Sequence, residues 1–323
     1  MPRSHVDAGN HSVDNMGFTL GLKASIYHVK SSISVFSGDG CADHLNNILT
    51  VDVSNIGNNE RIDGLICDSN GRVEDIVSCF GIGSEIIILG IHENMESTRL
   101  SLTTGIPWDK NFLLYDGNDA LRHCVVHGDE AAELLTLIYP DIGEISDNEF
   151  LTIGDVIVSK NSTSGVGHFD ILYRSDDESF IQRIKDNSLE LRTSEEWECA
   201  RIRSGFPAGN EADSTRLPSD IGLGTLVALN KGCYPGQEIH ARLDSRGTVR
   251  KHMLSIASPT PINLGKNRLE GGLTINVTST RELEGGYIAL AVAPTQITEG
   301  TLEGVSGCLL YTSDAADDVL GVV

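Results

Sequence analysis

Apolar and polar positions alternate in short runs along most of the chain. Residues 32–36 (SISVF) alternate as a half-buried strand does. The glycine-rich step at residues 38–40 then predicts a helix that runs through Leu49, with Asp39 as its N-cap. Residues 1–16 are polar and carry no apolar stretch of a signal peptide, so we expect a disordered lead-in.

A hairpin follows the first helix. Residues 63–68 and 72–80 read as strands, and they flank Ser-Asn-Gly at residues 69–71, where an Asn-Gly pair supplies positive φ angles. Residues 84–90 predict a short buried strand. Strand-then-helix pairs come next, and Thr193 with Glu196 forms a capping-box pattern before a further helix. These pairs cover residues 123–127 with 129–139, and residues 168–173 with 176–186. Because strands and helices interleave irregularly, the sequence predicts an α+β fold.

Glycine turns and short strands dominate beyond residue 246. We therefore expect one region over residues 17–246, made of two subdomains, and a small, truncated β-barrel over residues 247–307. Residues 308–323 resemble the conceptual translation of a sequencing-library adapter, and we expect them to be non-native.

Composition narrows the function classes. The chain has 24 Lys and Arg against 46 Asp and Glu, and a net charge of −22 argues against a broad nucleic-acid-binding surface. No apolar run is long enough to span a membrane, so a cytoplasmic location is expected. The cysteines form no C-x-x-C pair, and the histidines show no metal-ligand spacing, so the sequence predicts no metal site. The seven cysteines are Cys41, Cys67, Cys79, Cys124, Cys199, Cys233 and Cys308.

One segment carries specific chemistry. Residues 231–238 (KGCYPGQE) place a cysteine in a glycine-flanked turn before a helical stretch. Positive charge on Lys231 and Arg242 would favour the thiolate of Cys233. The alternative is a structural turn whose cysteine faces the core.

This segment resembles the signature of YgfZ-type proteins, relatives of the glycine-cleavage T-protein, GcvT. Weaker matches run from about Val35 to Arg250. They lie at residues 38–40, 49–53, 71–75, 197–207, 241–242 and 246–247. The resemblance implies a three-part, ring-like fold with tetrahydrofolate in a central channel, and it makes residues 17–246 the GcvT-type folate-binding region. It also implies a role in making or repairing certain iron–sulfur proteins. The T-protein itself transfers an aminomethyl carbon to tetrahydrofolate. It has a glutamate where this chain has Arg203, which favours the YgfZ branch.

Two carboxylates in the hairpin are candidates for acid/base chemistry. Alternation places Asp75 on the face of Val73, Val77 and Cys79, where a carboxylate is costly unless it is paired or faces a ligand. The resemblance implies that an aspartate here lies beside the folate; Glu74 is the alternative. A buried Asp75 that stabilises a neighbouring loop is the structural interpretation.

The resemblance also implies cofactor contacts elsewhere. We expect Asp75 and Cys233 to be catalytic and to border one cavity, with the folate also held by Glu74 and by the residues Arg201, Lys231, Tyr234, Gln237 and Arg242. For Arg201, Lys231 and Arg242, pairing with acidic neighbours is an equal alternative. The sequence leads to a folate-binding accessory protein for iron–sulfur assembly, whose partners are folate and client or assembly proteins. Its alternatives are a tetrahydrofolate-dependent aminomethyltransferase and a non-catalytic scaffold.

Overall fold

The computed structural model describes residues 23–91, 95–106, 110, 113–161, 168–247, 249–297, 302 and 309–312. The expected lead-in over residues 1–16 lies outside this range, as does most of the expected adapter-derived tail. The helices are α1 (Cys41–Asn46), α2 (Met95–Thr103), α3 (Ala131–Ile138), α4 (Glu178–Asp186), α5 (Ser194–Arg203) and α6 (Gln237–Arg246). Short 3-10 helices span Pro218–Ile221 and Gly224–Leu226. None of the described helices is long and apolar enough to cross a membrane.

The strands form three sheets. In chain order they are β1 (Ser25–Val29), β2 (Ser32–Ser37), β3 (Arg61–Cys67), β4 (Val73–Ile82), β5 (Glu85–Gly90), β6 (Leu113–Asp116), β7 (Leu121–His127), β8 (Phe150–Ile153), β9 (Val156–Lys160), β10 (His168–Arg174), β11 (Leu191–Arg192), β12 (Lys251–Ser258), β13 (Gly265–Arg268), β14 (Thr274–Leu283), β15 (Gly286–Pro294) and β16 (Leu309–Thr312).

Sheet I has the order β11-β1-β7-β10-β9-β8, and sheet II the order β3-β4-β5-β2-β6. Sheet III, with the order β13-β14-β15-β12-β16, is antiparallel throughout. The α+β prediction is confirmed.

Separate apolar clusters hold the sheets together. Phe80 and Leu89 of sheet II pack against Phe150 of sheet I. Ile76 of sheet II packs against Leu290 of sheet III. Helix α5 contacts both β1 and β14, so it joins sheets I and III. The three sheets therefore meet pairwise around a common centre.

Local signals account for much of this architecture. The capping box is present, since the Thr193 Oγ1 accepts from the Glu196 backbone N–H at 3.2 Å and the Thr193 N–H donates to the Glu196 carboxylate at 2.8 Å. The expected Asp39 N-cap is wrong. Gly40, with φ of 79°, holds the N-cap position of α1 without a side-chain bond, because the chain enters this helix in a left-handed conformation.

The hairpin between β3 and β4 contains a bulge that changes which face its carboxylates occupy. Ile66 pairs with Asp75 and Cys67 pairs with Val73, so Glu74 is an extra residue in β4. The expected shared face of Val73 and Asp75 is therefore wrong. Val73 packs toward sheet III, whereas Asp75 contacts α2.

Candidate functional site

A central cavity of about 320 Å³ lies where the three sheets meet. This is within the size range of small-molecule sites, roughly 300–1,000 Å³. Sheet I contributes His123 and Asp170 to its wall, sheet II Leu89, and sheet III Arg281. Further lining comes from α5 and from the loop that follows it. These residues are Ser194, Glu195, Trp197, Glu198, Arg201, Phe206, Ala208, Gly209 and Asn210.

A buried ion cluster forms one side of this cavity. The Asp170 Oδ2 accepts from the Arg61 guanidinium at 2.6 Å and from the Asn161 amide at 3.2 Å. Its Oδ1 lies 3.0 Å from the His123 Nε2 and 3.1 Å from the His168 Nε2. Asp170 is only 3% exposed, so these four neighbours replace water around the carboxylate.

The charges of this cluster stabilise one another. Burial alone would raise the pKa of Asp170, but Arg61, His168 and His123 hold it well below its usual range. Burial lowers the pKa of His123, although the Asp170 carboxylate opposes that shift. The carboxylate is therefore ionised, and its Oδ1 accepts hydrogen bonds from the Nε2–H groups of His123 and His168.

Aromatic side chains form the adjoining wall. The His168 ring lies 5.5 Å from the Trp197 ring and 5.4 Å from the Phe206 ring, both edge to face. The mouth carries two cations. Lys30 lies 4.0 Å from Glu195, and Arg281 lies 3.8 Å from Glu198. Both pairs are long and partly exposed, so they hold these cations weakly.

Arg201 lines the cavity, but its donors are committed to protein acceptors. Its Nε and Nη2 donate to Glu198 at 2.8 and 2.6 Å, and its Nη1 donates to Glu211 at 3.1 Å. The Phe206 carbonyl and the Ser279 hydroxyl accept the remaining two bonds. A guanidinium has five N–H donors, so all are used. Arg201 therefore pairs with acidic neighbours, the alternative given for it from the sequence, and its guanidinium is buried.

Lys231 anchors the signature loop instead of lining the cavity. Its ammonium donates to the carbonyls of Asn46, Leu49 and Val51, which lie at and beyond the end of α1. These three bonds use every donor of the ammonium. Burial lowers the pKa of Lys231 to about 8.

The rest of the signature packs against the β3–β4 turn. Tyr234 is buried and approaches His240, whose Nε2 lies 2.8 Å from the Gly71 carbonyl oxygen. Gly236, with φ of 80°, lies so close to this turn that an added Cβ would come within 2.8 Å of the Asp68 carbonyl. Both features require glycine at this position.

The loop leaves its thiol at the surface. Cys233 is exposed, whereas Cys41, Cys67, Cys79 and Cys124 are buried. The neighbouring Gln237 and Arg242 form local contacts. Gln237 donates to the Lys231 carbonyl at 3.4 Å, and Arg242 pairs with Glu238 on the exposed side of α6.

The hairpin carboxylates contact α2. Asp75 is 1% exposed and accepts from the Thr98 hydroxyl at 2.6 Å, and Gly90 of β5 leaves room for it because a Cβ there would lie 2.5 Å from its Oδ2. Glu74 accepts from Ser101 at 3.2 Å and lines a second hollow, of about 730 Å³, between α1 and α2.

The structure does not bring the predicted catalytic pair to one cavity. Among the described residues that line the central cavity, Arg201 is the single member of the predicted site, and Asp75 and Cys233 line neither hollow. The signature reaches the second hollow through Pro235. Within the described part of the chain, no group of three or more His, Cys, Asp and Glu side chains is placed to hold a metal ion.

The cluster around Asp170 is not among the residues predicted from the sequence. Its signal was present, because Asp170 lies inside an apolar strand and needs a buried partner there. That partner, Arg61, is 109 positions away along the chain. No local pattern connects the two residues.

Comparison with known proteins gives relatives of two kinds. No family model matches the chain. The tRNA-modifying protein YgfZ of Photorhabdus laumondii is 25% identical over 244 residues, which cover 72% of this chain and 71% of that protein. An aminomethyltransferase of Caldanaerobacter subterraneus is 23% identical over 230 residues, 67% of this chain and 61% of the relative.

A solved structure shares the fold. The crystal structure of the glycine cleavage system aminomethyltransferase T from Bartonella henselae aligns with a TM-score of 0.71 at 14% identity, and it covers 93% of this chain and 88% of that one. The predicted GcvT-like fold is confirmed. Together with the curated relatives, it shows that this chain is similar to proteins of the YgfZ/GcvT-like family.

Proposed function

We propose that this protein binds a reduced folate in the central cavity and acts as an accessory protein in iron–sulfur cluster assembly or repair. The observation that carries the proposal is the cavity itself, which lies at the meeting point of three sheets in a GcvT-like fold. Ligand sites favour such junctions between structural units.

The cavity wall fits the parts of a folate. Trp197 and Phe206 offer apolar aromatic surface for a pterin, and the histidine cluster offers polar atoms beside it. Lys30 and Arg281 stand at the mouth, where weakly held cations suit the carboxylates of a glutamate tail. Arg201 fixes the wall through its ion pairs and does not contact the tail in this arrangement.

Cys233 has a separate role in this proposal. Its exposure, on a loop fixed by Lys231, Tyr234 and Gly236, suits contact with a client or assembly protein. Iron–sulfur clusters usually require four thiolates, so one cysteine shares or briefly contacts a client's cluster.

Several relatives are named as tRNA-modifying proteins. The acidic net charge of this chain bears on whether it binds tRNA itself. With 24 Lys and Arg against 46 Asp and Glu, a broad tRNA-binding surface is disfavoured. We therefore propose that the protein supports a tRNA-modifying enzyme through protein contacts.

An aminomethyltransferase is the second candidate, favoured by the aminomethyltransferase relative and the shared fold. Two observations weigh against it. Arg203 replaces the glutamate of the T-protein pattern, and Asp75 is buried against Thr98, outside the central cavity wall.

Folate binding is tested by fluorescence. The chain has two tryptophans, so Trp108→Phe leaves Trp197 in the cavity wall as the reporter. Titration with 5-formyltetrahydrofolate should change its emission saturably, and calorimetry on the same variant should give the same affinity. No binding in the millimolar range would reject folate binding and favour a scaffold.

The accessory role is tested by complementation of a strain that lacks its own homologue, with an iron–sulfur enzyme as readout. Cys233→Ala should fail to restore activity, whereas Cys199→Ala, at a half-buried cysteine, should restore it. Full rescue by Cys233→Ala would remove the thiol from the mechanism. Formation of methylenetetrahydrofolate in a glycine-cleavage assay would instead support the transferase.

A further inference from the structure

His168 has one ring nitrogen without a protein partner. The side chain is 2% exposed, and its Nε2 lies 3.1 Å from the Asp170 Oδ1. Among the described residues, no group forms a hydrogen bond with its Nδ1. His123, which shares the same carboxylate oxygen, differs here because its Nδ1 lies 2.7 Å from the Ser31 hydroxyl.

The ion cluster determines what the unpartnered nitrogen can do. Asp170 faces four donors, among them the charged Arg61 guanidinium, so it is an acceptor toward both histidines. In the neutral form of the His168 imidazole, the proton is therefore on Nε2. Its Nδ1 carries a lone pair and can only accept a hydrogen bond.

A buried acceptor without a donor is costly. Such a group destabilises the fold by about 1–3 kcal/mol, and native structures keep few of them without a reason. His168 lines the central cavity, and the buried Arg201 of the same wall cannot supply the donor because all five of its N–H groups are used. A ligand bound in the cavity can supply that donor.

We infer that His168 Nδ1 accepts a hydrogen bond from an N–H group of a heterocyclic ligand in the central cavity. The inference rests on the proposed folate site and adds a residue that recognises the ligand's ring through a hydrogen bond. The aromatic rings of Trp197 and Phe206 beside His168 favour a flat heterocycle over a sugar or an aliphatic amine. A pterin supplies such donors through its ring N–H and amino groups. The central cavity would therefore discriminate against ring analogues that present an acceptor at this point.

Nitrogen NMR on the full chain with labelled histidine tests this directly. In the free protein, His168 should show protonated Nε2 and unprotonated Nδ1, and addition of 5-formyltetrahydrofolate should shift the Nδ1 resonance upfield. The Nδ1 of His123 already has the Ser31 hydroxyl as its partner, so the His123 Nδ1 resonance should not shift. Spectra of His168→Gln and His123→Gln assign the two signals.

Affinity provides a second measurement. His168→Phe should weaken binding of 5-formyltetrahydrofolate about tenfold, the equivalent of one hydrogen bond. His127→Phe is the matched control, because His127 lies in the same aromatic cluster but not among the described residues that line the cavity. This variant should bind 5-formyltetrahydrofolate with the same affinity as the wild-type protein. If the wild-type protein binds and the His168 Nδ1 resonance does not move, the inference is overturned while folate binding stands. If the Trp197 reporter shows no binding, the proposed function fails, and the inference with it.

Discussion

The contact between the signature turn and the β3–β4 turn can be tested with single alanine substitutions. Gly236 combines two constraints, a φ of 80° and a backbone neighbour that leaves no space for a Cβ, which would lie 2.5 Å from the Gly71 nitrogen. The left-handed conformation costs an L residue about 1–2 kcal/mol. Overlap with fixed backbone adds about 1–3 kcal/mol. Gly236→Ala should therefore lower the free energy of unfolding by about 2–5 kcal/mol.

Two other glycines separate these contributions. Gly247 has φ of 59° and no atom within 4 Å of an added Cβ, so Gly247→Ala should show the conformational cost alone, about 1–2 kcal/mol. Gly232 lies in the same loop as Gly236, its φ is not positive, and an added Cβ would have Asn46 at 3.9 Å as its neighbour. Gly232→Ala should change stability by less than about 0.5 kcal/mol.

Urea unfolding followed by circular dichroism measures all three variants under one condition. The expected order of stability is Gly232→Ala, then Gly247→Ala, then Gly236→Ala. If Gly236→Ala is no less stable than Gly247→Ala, the two turns are not in backbone contact, and the signature does not brace the hairpin.

Three further outcomes are expected. Asp170→Asn should lower the free energy of unfolding by about 3 kcal/mol, because it removes one of the two carboxylates paired with the buried Arg61 and leaves Asp63 as the other. The pKa of Asp170 is lower in the folded protein than its unfolded value of about 3.9. The stability that Asp170 contributes is therefore present above about pH 3.9 and is lost as the pH falls through the folded pKa. The Asp170→Asn variant should lack this acid-dependent loss of stability. In a Cys308→Ser background, a thiol reagent should modify Cys233 first under native conditions, and Cys233→Ser should abolish the fast phase. Lys231→Met should lower the free energy of unfolding by about 1.5–3 kcal/mol in urea and speed local opening of the loop, measured by hydrogen exchange; unchanged exchange would contradict its anchoring role.

Short-range chemistry made several elements predictable. The Asn-Gly turn, the capping box at Thr193 and the alternation at residues 32–36 each act within a few residues, and each lies where the sequence indicates. The prediction of Asp39 as an N-cap was wrong, although it also concerned neighbouring residues. Gly40 takes the N-cap position in a left-handed conformation, and no side chain caps the helix.

The central cavity could not be predicted in the same way. Asp170 was visible as a carboxylate in an apolar strand, but its partner Arg61 comes from another sheet. Likewise, Lys231 donates to carbonyls about 180 residues earlier in the chain. Whether its ammonium binds a ligand or the protein therefore depends on which loops lie next to each other in the fold.

The chain alone therefore determined the resemblance to the YgfZ/GcvT-like family, the fold class and the loop that carries Cys233, because those follow from residue types at fixed spacing. The tertiary structure decided which polar groups have partners. It committed Arg201 and Lys231 to the protein, separated Asp75 from Cys233, and left the His168 Nδ1 without a partner among the described residues. Hydrogen-bond satisfaction depends on distance in space, and separation along the chain does not determine it.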